Sequence, residues 1–163
     1  MAKKIALKGL FLALIILLSL VESYVVPPNI YNIRPGLSNV IIMYTLITQG
    51  RGAAVSLALA KSLFVLLSRG AVAFSLSLTG GILAIAAMII TDRLYSGRTS
   101  YSVLSISGAL FHNLGQLLTA SLIIGSFSLL LFYLPVLVIS AIGCGVLTGV
   151  VLKFTMPYLD DLR

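Results

Sequence analysis

The chain is short of charge, and short of acid above all. Only 9% of its 163 residues are charged, and four acids stand against eleven Lys and Arg. A soluble domain of this size needs a polar exterior, and these residues cannot supply one. There is one cysteine, Cys144, which excludes an internal disulfide and a cysteine-only metal site. It sits in Ile-Gly-Cys-Gly-Val, inside an apolar run, and reads as a small buried hydrophobe. Tryptophan is absent, and the single histidine is His112. Also missing are a nucleophile elbow, a phosphate-cradling P-loop and a metal-spaced His/Cys cluster. The chain therefore reads as no enzyme, needs no cofactor and cannot by itself drive transport with ATP. The net charge of +7 is scattered, with no basic helix or aromatic-rich basic segment, so nucleic acid is not an expected partner.

What is present is hydrophobic: 60% of the residues, gathered in long runs. Several approach the roughly 20 residues needed to cross a hydrocarbon core of about 30 Å. The runs do not alternate apolar and polar with period two, so a membrane barrel is excluded. The expected fold is an all-α integral membrane protein, a single domain of six spans at about 5–21, 37–48, 53–67, 71–91, 103–124 and 129–152. Pro27 and Pro28 close the first span. Bulky residues around Ser19–Ser23 make a poor cleavage site, so the first run reads as a retained helix, not a signal peptide. The second and third stretches are short and read either as two crossings or as one broken hairpin, allowed only under a cover of protein or water.

Six spans put both termini on one side. With that side cytoplasmic, Lys3, Lys4, Lys8, Arg51, Arg93, Arg98, Lys153 and Arg163 lie inside, and Arg34 and Arg69 outside. Basic residues in short loops favour the cytoplasm, so this bias orients a multi-pass protein of the cytoplasmic membrane. Asp160-Asp161 reads as part of a solvated tail.

Lipid makes polar residues inside a run costly, so each needs a reason. Lys61 lies near the middle of the third span and must snorkel, pair or face a polar cavity. His112 and Gln116 are four apart on the fifth span and share a face, with Asn113 beside them. That stripe serves either interhelical hydrogen bonding or a ligand site. Lys61 and His112 lie at a similar depth, roughly 13 Å from the inner surface at about 1.5 Å per residue. They can line one chamber, with Arg34, Asn39 and Arg69 nearer the outside, and its positive charge favours an anionic small molecule.

Small residues recur at helix-packing spacing: Gly9-x-x-x-Ala13 on the first span and Gly145-x-x-x-Gly149 on the sixth. They serve either bundle packing or docking of a second membrane protein.

The run His112-Asn113-Leu114-Gly115-Gln116 resembles the family called heptaprenyl diphosphate synthase component I, also known as the Gx transporter family. Glu22, the segment Pro35-Gly36-Leu37-Ser38-Asn39, Gly80-Gly81 and Tyr133-Leu134-Pro135 fit the same resemblance, which covers roughly residues 5–152. The family is similar in size and layout to the substrate-binding S components of energy-coupling-factor transporters. That resemblance implies a six-helix bundle taking a small molecule from outside. It also implies a transmembrane coupling protein and ATPase subunits as partners, docked through Ala6, Gly9 and Ala13. The usual docking pattern is alanine-rich, and Gly9 departs from it. The family's enzymatic name implies an alternative, a noncatalytic membrane subunit in polyprenyl diphosphate synthesis. The Asp-rich motifs of prenyl synthases do not occur here.

Overall fold

A computed structural model describes residues 2–25 and 37–161. All regular structure among them is helical: α1 (Ala2–Val25), α2 (Leu37–Thr48), α3 (Arg51–Leu94), α4 (Tyr101–Ile124) and α5 (Ser128–Asp161). Two stretches, Arg51–Leu94 and Leu130–Asp161, are long and apolar enough to cross a membrane.

α3 is not one rod. Gly70 breaks it with φ 85° and ψ −179°, a conformation that side chains with a Cβ rarely adopt. The arms 51–69 and 71–94 fold back on each other. Ser62 Oγ lies 3.2 Å from Ser77 Oγ, although fifteen residues separate them. Along a straight helix that separation would be about 22 Å. Ala58 and Gly81 also face each other across the hairpin. The break expected between the spans 53–67 and 71–91 is therefore present, compressed to one residue, and the described residues form six helical rods.

The helix ends follow from local chemistry. Ser100 caps α4 by accepting from the Val103 N–H at 3.3 Å, and Gly125 ends it in the left-handed region at φ 72°. α5 runs past residue 152, where the last span was expected to stop, and through Pro157 to Asp161. Tertiary contacts hold this extension. Leu159 is buried, and Asp160 accepts a 2.9 Å hydrogen bond from the Tyr44 hydroxyl. Asp160 is thus not merely part of a solvated tail.

α2 lies at the centre. It has only twelve residues, yet Ser38 and the run 40–45 are all buried, between α1, α3 and α5. Burial obliges its polar groups to find partners. Thr45 Oγ1 donates to the Ile41 carbonyl at 2.8 Å, and Tyr44, in edge contact with Phe11, donates to Asp160. Large hydrophobics meanwhile face outward: Leu67, Leu131, Phe132, Ile139 and Phe154 are all exposed. That is the reverse of a soluble surface and matches a lipid one.

Backbones meet where glycine removes the side chain. A Cβ on Gly145 would stand 2.6 Å from Ile106 Cα, and one on Gly149 would stand 2.6 Å from Ser102 Cα. The Gly145-x-x-x-Gly149 motif therefore packs α5 on α4 inside the bundle. Gly143 has nothing within 4 Å. Gly149→Ala must push two helices apart and is expected to cost at least about 1–3 kcal/mol. Gly143→Ala should be neutral or slightly stabilising, by up to about 1 kcal/mol. Thermal unfolding of the detergent-purified variants measures both.

Candidate functional site: a polar cavity inside the bundle

A cavity of about 90 Å³ opens between α1, α2, both arms of α3, and α4. Its wall brings together Asn39, Lys61, His112, Asn113 and Gln116, all expected to lie near a ligand. Glu22, Ser38, Arg69 and Ser77 join them. Arg34 lies outside the described residues.

Each helix delivers its residue for a local reason. Glu22 ends the apolar stretch of α1 and turns inward, only 4% exposed. Asn39 lies in the first turn of the buried α2. Lys61 projects from the first arm of α3 and is 9% exposed, so it does not snorkel to a surface. Its Nζ donates to Asn39 Oδ1 at 2.9 Å. An ammonium has three protons to place, and this bond uses one. Arg69, next to the Gly70 break, donates from Nη2 to the Ser19 carbonyl at 3.2 Å.

The histidine stripe is set by close packing of α4 on the second arm of α3. A Cβ on Gly115 would stand 3.0 Å from Gly80 Cα, and one on Gly80 would stand 2.9 Å from His112 Nδ1. Thr79 and Thr119 pin this seam with a 2.7 Å hydroxyl contact. The seam lets His112, Asn113 and Gln116 reach the cavity with bulk removed behind them. Asn113 also approaches the Leu137 carbonyl of α5, at 3.5 Å. A smaller cavity of about 40 Å³ shares Asn39, His112 and Asn113 with the first. Its remaining wall is mainly apolar, with Ile42, Met43, Ile85 and Met88, and includes Cys144.

Two polar atoms of the larger cavity's residues are left over. Glu22 Oε1 and His112 Nδ1 are buried and have no hydrogen-bond partner. Glu22 Oε2 accepts only a long 3.4 Å bond from Ser38 Oγ. Unbonded buried groups cost about 1–3 kcal/mol each, more when charged, and native proteins keep few. With Lys61 and Arg69 positive and Glu22 negative, the wall can hold an anion and accept a hydrogen bond at the same time.

Glu22 was not singled out as a site residue from sequence, because it stands at a span end, where charge is ordinary; Arg69, expected near the mouth of the pocket, lines the cavity. The proposed docking face on α1 is simpler. Ala6, Gly9 and Ala13 are exposed, and Gly9 has no atom within 4 Å of an added Cβ.

Asn39→Leu would strand the Lys61 ammonium and is expected to destabilise by about 3–5 kcal/mol. Lys61→Met should cost much less. The double variant should recover most of the loss, and chemical unfolding of the three variants shows whether it does.

No curated protein and no solved structure matches the chain. A family model described as heptaprenyl diphosphate synthase component I matches residues 11–155, which span the cavity and all five helices. The chain belongs to the heptaprenyl diphosphate synthase component I family.

Proposed function

We propose that this protein is a membrane-embedded binding subunit for a small anionic molecule, acting as the substrate-capture part of a transporter. The observation that carries the reading is the meeting of Lys61, Arg69, Asn39, His112, Asn113 and Gln116 on one cavity. An apolar bundle has little reason to gather so many polar side chains unless something binds among them.

The six rods cross the cytoplasmic membrane with both termini inside. The distribution of basic residues supports that orientation. The arms of α3 support the crossings, at about 28 and 36 Å by helical rise. α2, at about 18 Å, is too short to cross unaided and depends on its neighbours for cover. Ligand enters from the outer side, and reorientation is powered by a partner that hydrolyses ATP. Coupling runs through a membrane protein seated on Ala6, Gly9 and Ala13, whose exposure supports such a contact.

A second reading follows from the family description, which names one component of a synthase. In that reading the chain is a noncatalytic membrane subunit, working with a second component in polyprenyl diphosphate synthesis.

Binding of inorganic phosphate and of acetate to the full chain in lipid nanodiscs tests the first reading. Lys61→Gln is expected to weaken the bound anion at least tenfold. Absence of binding, or binding indifferent to Lys61, overturns it. Affinity purification of the tagged protein separates the partners. Recovery with an ATPase and a membrane coupling protein is the expected result. Recovery with a soluble Asp-rich prenyl synthase establishes the second reading instead.

A further inference from the structure

We infer that the ligand is a small hydroxylated monoanion, and that Glu22 selects it by accepting a hydrogen bond from its hydroxyl group. The inference rests on the anion-binding reading above and narrows the class of molecule that fits.

Three observations carry it. The first is the orphaned carboxylate oxygen. Glu22 is 4% exposed and lines the cavity, and its Oε1 has no partner. A carboxylate oxygen can only accept, so its missing partner is a donor. A bare anion such as acetate offers none, and it meets repulsion from Glu22 besides. The other orphans outside this cavity, Thr99 Oγ1 and Ser121 Oγ, are neutral hydroxyls. Among the described residues, Glu22 is the one orphan with a carboxylate to satisfy.

The second is the charge balance of the wall. Among the described residues of the wall, Lys61 and Arg69 bring two bases and Glu22 one acid, an excess of one base when His112 is neutral. A monoanion brings the chamber to neutrality, which a low-dielectric surrounding favours. A zwitterion would supply a donor but leave the excess uncancelled. A dianion would overshoot.

The third is size. A cavity of about 150 Å³ holds benzene. At about 90 Å³ the chamber suits a molecule smaller than benzene. In so small a ligand the anion and the hydroxyl lie close together, with the anionic group toward Lys61 and the hydroxyl toward Glu22. His112 Nδ1, the second orphan, is placed to hydrogen-bond the same small molecule.

The test uses matched pairs, glycolate against acetate and lactate against propionate, titrated into the unmodified full chain in nanodiscs. The hydroxylated member of each pair is expected to bind at least tenfold more tightly. In Glu22→Leu, which removes the acceptor, the ratio should shrink towards one while acetate and propionate bind as well or better, because a like charge is gone. A merely structural role for Glu22 would weaken all four together, and that outcome overturns the inference. So do equal affinities within each pair on the unmodified protein, a comparison that needs no variant to fold. If acetate or phosphate still binds through Lys61 in that case, the anion site stands and only the hydroxyl selection fails. If no anion binds at all, the site reading fails and the inference goes with it.

Discussion

Lys61 carries a full positive charge into a bundle whose exterior is apolar, and Asn39 is the side chain that meets it, at 2.9 Å. Much of the surrounding structure depends on that contact. An ammonium cannot be left in hydrocarbon, so the first arm of α3 must turn this face inward. A neutral amide must stand at the same depth, so a polar helix has to lie inside the bundle. α2 is that helix, and its own hydroxyls then need partners in turn. The short α2, the hairpin at Gly70 and the return of α5 to Tyr44 are the means by which this polar interior is covered.

The cavity gathers two of the four buried polar atoms that lack a partner among the described residues. Elsewhere in the bundle, buried hydroxyls such as Ser62 and Thr45 bond back to their own helix, at Ala58 and Ile41, while Ser121 and Thr99 do not. Around the cavity the bonding is incomplete, with one long contact to Glu22 and two atoms with none. A protein that satisfied every group here would be more stable and would have nothing to bind with.

Much of this was legible in the sequence because lipid is an unforgiving solvent. Lys61, His112, Asn113 and Gln116 stand out as polar residues inside apolar runs, and the folded chain places them on one wall. Equal depth along parallel rods was enough to suggest that Lys61 and His112 share a chamber. Glu22 escaped as a site residue for the opposite reason. At span ends charge is expected, and nothing in the spacing says that a terminal carboxylate turns inward. The extension of α5 escaped too. Lys153 and Pro157 read locally as an end, and only the distant Tyr44 holds the helix to Asp161. The two roles open for Gly145-x-x-x-Gly149 could be told apart only by seeing which backbone lies opposite.

The glycine contacts also have a mechanical side. Where Gly145 and Gly149 meet Ile106 and Ser102, and Gly115 meets Gly80, backbone lies on backbone with no side chain between to act as a bearing. Such rods cannot slide without first climbing apart, so the second arm of α3, α4 and α5 form a stiff slab. α1 and α2 rest on their neighbours through deformable side chains such as Phe11, Met43 and Tyr44. The cavity lies on the boundary between these two halves, with Glu22 and Asn39 on the softer side and His112 on the slab. A molecule bound there touches both, so its arrival and departure are felt as a force across the one seam in the bundle with play in it.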